Sequence, residues 1–135
     1  IAFNQQSPKI YPYLKKFIKS TNLKIGIVSN AHKNHVLKVL RKNDLLKYFK
    51  DNITSCTGKI PYKPFKDGYI IGARKLGLKT SEILVIEDSD VGIEAALKAK
   101  VQKILRHTNY DKNLPKKIKY RIPKLMGYKD FKNFF

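Results

Sequence analysis

Apolar positions along this chain follow two periods in alternation. Leu14, Phe17 and Ile18 fall at i, i+3 and i+4 with Lys15, Lys16 and Lys19 outside the stripe, behind Pro12, which suits a helix start. They predict a surface helix within residues 8 to 20, closed by Asn22. Lys24 to Val28 then reads as a short buried strand ending at Ser29-Asn30. Val36, Leu37 and Leu40 mark a second helix that stops near Asn43, Leu45 to Phe49 a further helical turn, and Asn52 to Ser55 a weak strand. Gly58, Pro61 and Pro64 forbid a regular element between Cys56 and Pro64 and predict an ordered loop. Helical spacing resumes at Phe65, Tyr69, Ala73 and Leu76, with Gly77 where a helix C′ glycine belongs. Ile83 to Ile86 reads as a strand buried on both faces, Ile93, Ala96 and Leu97 as the core stripe of a helix to about Ala99, and Val101 to Leu105 as the last clear strand.

Helix and strand alternate throughout, which predicts an α/β fold: a Rossmann-like parallel sheet with right-handed crossovers and helices on its faces. The 135 residues are expected to form a single domain, long enough to bury roughly two-thirds of the unfolded surface. The tail over residues 107–135 interleaves tyrosines and phenylalanines with lysines and is expected to pack on that domain, with a short edge strand near Tyr120 to Ile122.

Composition narrows the function classes. No apolar run approaches the roughly 18 to 20 residues of a membrane span, and residues 1 to 6 lack the pattern of a signal peptide, so no membrane partner and a cytoplasmic location are expected. Cys56 is alone, which rules out an internal disulfide and suits a reducing compartment. The net charge of +19 would attract phosphate backbones, but it comes from 25 Lys against 4 Arg, and Arg is the residue favoured for bidentate phosphate and base contacts. No nucleic-acid motif accompanies the charge, so it reads as solvated faces and nucleic acid is not the expected partner.

Against that background four of the ten acids fall within eight residues: Glu87, Asp88, Asp90 and Glu94. Ser89 or Asp90 could cap the helix that follows and Glu94 favour its positive end, but capping leaves adjacent Glu87 and Asp88 at the strand end unexplained. A hard divalent cation needs such oxygens at one point, and ligands of parallel sheets bind at the carboxyl ends of strands. A parallel sheet would bring Ser29-Asn30, Lys63 and Glu87-Asp88 to that same edge. A hydroxyl and a backbone N–H hold phosphoryl oxygens, a lysine neutralises charge on them, and a carboxylate holds Mg²⁺ against them.

The order and spacing of these groups resemble the haloacid dehalogenase-like hydrolase superfamily over about residues 8 to 106. Ile25-Gly26-Ile27-Val28-Ser29-Asn30 is similar to its second motif, Lys63-Pro64-Phe65-Lys66-Asp67 to its third, and Ile86 to Ala96 to its fourth, in the Glu-Asp-Ser-x-x-Gly form of the β-phosphoglucomutase and sugar-phosphatase branch. The resemblance implies a Mg²⁺-dependent phosphatase or phosphomutase acting on a small phosphorylated metabolite through an aspartyl-phosphate. Under it Ser29 and Asn30 bind the transferring phosphoryl group, Lys63 orients nucleophile and phosphate, Asp88 ligates Mg²⁺, and Glu87 supports the metal's waters.

The family's first motif, an Asp-x-Asp that supplies nucleophile and general acid, has no match before Ser29; Ile1 to Asn4 holds an Asn and no Asp. The resemblance therefore implies the C-terminal portion of a larger hydrolase, with first strand and cap domain absent and unpaired sheet edges open to association. Lys100 departs from the family's usual Gly. Asp88-Ser89-Asp90 is itself an Asp-x-Asp, but no second Ser-ending strand and Lys-Pro loop follow it. A non-catalytic binding or scaffold protein of this fold is the competing class.

Overall fold

A computed structural model describes residue 10, residues 12–108 and residues 124–127. The elements, in order, are α1 (Pro12–Ser20), β1 (Ile27–Ser29), α2 (Lys33–Lys42), α3 (Leu46–Phe49), β2 (Ile53–Ser55), α4 (Asp67–Lys75), β3 (Leu84–Glu87), α5 (Asp90–Lys98), β4 (Lys103–Thr108) and β5 (Lys124–Gly127). A 3-10 turn at Thr80–Glu82, not anticipated from the sequence, leads into β3. The alternation predicted from periodicity is thus present. Residues 1 to 4, the tail's aromatics and the edge strand expected near Tyr120 to Ile122 lie outside the described residues; the strand observed beyond them is Lys124–Gly127.

Among the described residues every strand pairing is parallel, as predicted, and the strands fall into two sheets. β1 pairs with β2, Val28 opposite Thr54, and β3, β4 and β5 form a separate sheet with Ile86 opposite Leu105 and Arg106 opposite Leu125. Two strand boundaries are corrected: the first runs from Ile27 to Ser29 rather than from Lys24, and β4 extends from Lys103 to Thr108 rather than from Val101 to Leu105. Val101 instead closes the end of α5, donating to Ala96 O.

Helices cover both faces. On one, α1, α2 and α3 bury Ile18, Val36, Leu40, Leu45 and Phe49 against Ile27 and Ile53. On the other, α4 and α5 bury Tyr69, Ile93 and Ala96 against Val85 and Ile104, with Val28 packed alongside. The two sheets are held in one layer by helices that reach both. Leu14 of α1 touches the cluster around Ile27 as well as that around Leu105 and Ile86. β3 was expected to be buried on both faces; instead Val85 and Glu87 are buried while Leu84 is 36% exposed and Ile86 half-buried. The reason is local: among the described residues β3 is paired on one side only, and its other flank borders a cleft towards β1.

Gly77 terminates α4 as its spacing predicts. Its φ of +72° lets Gly77 N donate to Arg74 O and Leu78 N to Ala73 O, the paired bonds of a Schellman end. Lys100 makes the same kind of end for α5, with Lys100 N to Leu97 O and Val101 N to Ala96 O, but holds φ of +61° with a Cβ present. A left-handed residue bearing a side chain costs about 1–2 kcal/mol, partly offset in glycine by its freer unfolded state. Lys100→Gly is therefore expected to stabilise the chain by about 0.5–1 kcal/mol in urea unfolding. Lys98→Gly, within the last turn of α5, is expected to lower stability by a similar amount.

Candidate functional site at the carboxyl edge

Three chain segments meet where β1, β2 and β3 end. The β1 segment turns at Ser29, whose Oγ accepts from Ala31 N–H at 3.1 Å and so keeps its own proton free to donate. The loop after β2 delivers Lys63, and Asn30 holds that loop in place. Lys63 N–H donates to Asn30 Oδ1 at 2.7 Å, and Asn30 Nδ2 donates to Lys63 O at 3.2 Å. The Asn30 side chain is thus engaged by the main chain of Lys63. The Lys63–Pro64 peptide bond is cis.

From the end of β3, Glu87 points inward and Asp88 outward. Glu87 is buried, 6% exposed, and its carboxylate is surrounded by donors. Oε1 accepts from Lys63 Nζ and from Tyr69 Oη, the latter at 2.8 Å. Oε2 accepts from Asp88 N–H at 3.0 Å, Ser89 N–H at 3.2 Å and Ser89 Oγ–H at 3.0 Å. Ser89 in turn caps α5, its Oγ accepting from Gly92 N–H. Gly92 has no alternative here, because a Cβ on it would lie 2.0 Å from the Glu87 carboxylate. The Glu-Asp-Ser-x-x-Gly spacing read from the sequence is therefore the footprint of one buried carboxylate and the helix start folded around it.

Burial raises the Glu87 carboxyl, but the Lys63 ammonium and the hydrogen bonds from Lys63 and Tyr69 outweigh it and hold the group below its ordinary 4.5. Tyr69 is driven well above the usual phenol range by burial and by the Glu87 charge, which keeps it a donor. Burial also raises the Cys56 thiol despite Lys63 nearby, which suits an inert buried cysteine. Lys63 Nζ donates to Glu87 and, at 3.3 Å, to Val28 O, leaving one of its three N–H groups for a ligand.

The predicted residues Ser29, Lys63, Glu87 and Asp88 all border one cleft of about 520 Å³, and Asp88 is exposed beside it. Asp90 lies further round, bonded to Arg106 Nη1 at 3.1 Å. Tyr69 was read from the sequence only as part of a helical stripe. The signal available was its hydroxyl: a buried phenol on a core stripe needs a polar partner, here Glu87.

Metal binding can be weighed on these donors. Among the described residues no three His, Cys, Asp or Glu side chains come together as a metal-holding group. Glu87 has its oxygens filled by protein donors and Asp90 is paired, so Asp88 fits as one ligand of a cation and the described residues do not complete a set. No described helix is long and apolar enough to cross a membrane.

Comparisons with known proteins identify the family and the fold. A family model for haloacid dehalogenase-like hydrolases matches residues 2–100. A phosphorylated carbohydrates phosphatase of Thermotoga maritima is 30% identical over 89 residues, covering 66% of this chain and 41% of that protein. Of solved structures, a haloacid dehalogenase-like protein of unknown function from Agrobacterium tumefaciens superposes with a TM-score of 0.72 at 23% identity, over 85% of this chain and 54% of that one. A candidate β-phosphoglucomutase from Thermotoga maritima superposes with a TM-score of 0.71 at 25% identity, over 89% and 55%. The chain spans about two-fifths of the curated relative and about half of the structural ones.

The buried pair gives a test in the chain itself. Removing one member of a buried ion pair strands the other, so Lys63→Met is expected to cost about 3 kcal/mol or more in urea unfolding near neutral pH. Because Glu87 has a folded value below 4.5, its contribution is complete above about pH 5 and is lost as pH falls through that folded value. Glu87→Gln should remove this component, leaving a shallower fall of stability on the acid side than in the parent chain.

Proposed function

The chain belongs to the haloacid dehalogenase-like hydrolase family, and from that membership we propose that it is the phosphate- and metal-facing part of a Mg²⁺-dependent phosphatase or phosphomutase for small phosphorylated metabolites. The observation that carries the proposal is the convergence of Ser29, Lys63 and Asp88 on one end of one cleft. The name of the curated relative, a phosphatase of phosphorylated carbohydrates, supports the substrate class.

In this reading Ser29 donates its free hydroxyl proton to a phosphoryl oxygen, and the main-chain N–H at Asn30 faces a second. Lys63 offers its remaining N–H to the phosphoryl group and to the attacking carboxylate, bringing together two anions that would otherwise repel. Glu87 fixes that ammonium in place. Asp88 would hold Mg²⁺ together with carboxylates from outside the described residues; the cation would supply charge neutralisation for the phosphoryl oxygens. The nucleophile is an aspartate that residues 10–108 do not provide, carried on a strand next to β1 and β3. Its carboxylate attacks phosphorus as the P–O ester bond breaks, the second acid of that Asp-x-Asp segment gives its proton to the leaving ester oxygen, and water, deprotonated by the same group, then attacks phosphorus to release inorganic phosphate and restore the carboxylate.

The experiment is hydrolysis of p-nitrophenyl phosphate with Mg²⁺ by the chain assembled with an Asp-x-Asp-bearing segment. Ser29→Ala removes a hydrogen bond to a charged group, about 1.5–3 kcal/mol, so kcat/KM is expected to fall roughly ten- to a hundred-fold. Asp88→Asn should raise the Mg²⁺ requirement far more than Lys103→Ala on the exposed side of β4. Equal small effects at all three positions would refute the assignment, as would robust turnover by residues 1–135 alone that Asp90→Asn abolishes.

A further inference from the structure

The turn that follows β1 is held from outside itself at three points. Cys56 N–H donates to Ser29 O at 2.7 Å, the Lys63 main chain takes both ends of the Asn30 amide, and Ser55 Oγ donates to Ala31 O at 2.6 Å. Ser55 stands half-buried opposite Ser29 in the last rung of the β1-β2 ladder. Its single proton is spent on Ala31 O, so at the 3.1 Å contact between Ser55 Oγ and Thr57 Oγ1 it is Thr57 that donates. The order Thr57 O–H to Ser55 O–H to Ala31 C=O is thereby fixed, and each bond polarises the next.

Peptide geometry carries this contact to the ligand side. The cis bond of the described residues is Lys63–Pro64, so Ser29–Asn30 and Ala31–His32 are trans, and the N–H of each plane points opposite to its carbonyl. Ser29 O and Ala31 O are both turned to the β2 segment, at Cys56 and Ser55. Asn30 N–H and His32 N–H therefore point away from β2, and among the described residues the cleft bordered by Ser29 and Lys63 lies on that other flank of β1. Ala31 N–H, on the plane between them, is occupied by Ser29 Oγ. A half-turn of the Ala31–His32 plane would exchange an N–H for a carbonyl oxygen on the cleft side, where it would repel an anion.

We propose that Ser55 is a positioning residue of the phosphate site: its hydroxyl, held by Thr57, fixes the Ala31–His32 peptide so that the turn after Ser29 presents N–H rather than C=O to a phosphoryl oxygen. Ser55 touches no ligand in this arrangement and acts through Ala31. The two serines of the last rung thus take different parts, Ser29 offering its proton to the anion and Ser55 orienting the turn that receives it. A turn oriented before the anion arrives has no rearrangement to make on binding, which is how a contact remote from the ligand reaches its affinity. That the anion is a phosphoryl group rests on the proposed function; the fixed peptide plane does not.

The test uses residues 1–135 and inorganic phosphate, followed by NMR. In Ser55→Ala the carbon signal of the Ala31 carbonyl is expected to move, and the dissociation constant for phosphate, read from the Asn30 and His32 amide signals, to rise about three- to ten-fold. Ser55→Thr keeps the hydroxyl and should restore both the carbonyl signal and the affinity. Thr57→Val, outside β2, should produce a smaller change in the same direction, whereas Ser20→Ala, whose hydroxyl bonds back within α1, should change neither. Urea unfolding of each variant separates these effects from lost stability. Lower stability of Ser55→Ala with the carbonyl signal and the phosphate affinity unchanged would overturn the proposal, as would an affinity loss that Ser55→Thr leaves unrestored, or phosphate shifts that spare His32. A parent chain that binds no phosphate would count against the proposed function alone: an Ala31 carbonyl signal that Ser55→Ala moves and Ser55→Thr restores upholds the fixed peptide, and one that stays in place overturns it.

Discussion

The Glu87 carboxylate is the constraint on which the rest of the site depends. A carboxylate buried in an α/β interior is expensive unless its oxygens are filled, and five donors from three chain segments fill them. Lys63 arrives from the loop after β2, Tyr69 from α4, and the two amides and the hydroxyl from the turn into α5. These are the groups that link the β1-β2 half to the β3-β4-β5 half at their carboxyl ends. The electrostatic interaction that sets the ammonium in place therefore also sets the relation between the two sheets.

Among the described residues, that linkage and the helices hold the two sheets in one layer. Helix α1 spans one face, with Leu14 in contact with both apolar clusters, and α4 spans the other, where Tyr69 and Val28 share a cluster with Val85. Among the described residues the facing flanks of β1 and β3 border a cleft, and Leu84 and Ile86 are incompletely buried although their types are those of a core strand.

Ser29, Lys63 and Asp88 border one cleft at the edge that the Glu87 network builds. The Glu87 carboxylate is already engaged by five protein donors, whereas Asp88 is exposed beside it.

The sequence by itself determined the alternation of helices and strands, the parallel sense of the strands, and the three segments that meet at the edge, because each rests on local periodicity or on residues a few positions apart. Gly77 at the end of α4 and Gly92 within the fourth motif were legible for the same reason: one follows from a helix end, the other from a spacing of five residues after Glu87. Only the tertiary structure decided what depends on distant partners. Tyr69 reads as one more apolar position on a helix until Glu87 lies 2.8 Å from its hydroxyl, and Asn30 reads as a turn residue until Lys63, 33 positions away, takes both ends of its amide. The starts of β1 and β4 shifted by two or more residues, since β-branched types mark apolar stretches while pairing decides where a ladder begins. The order of the strands is likewise a tertiary fact, because it is set by crossovers and helix packing, and no residue type along a strand records which of its flanks is paired.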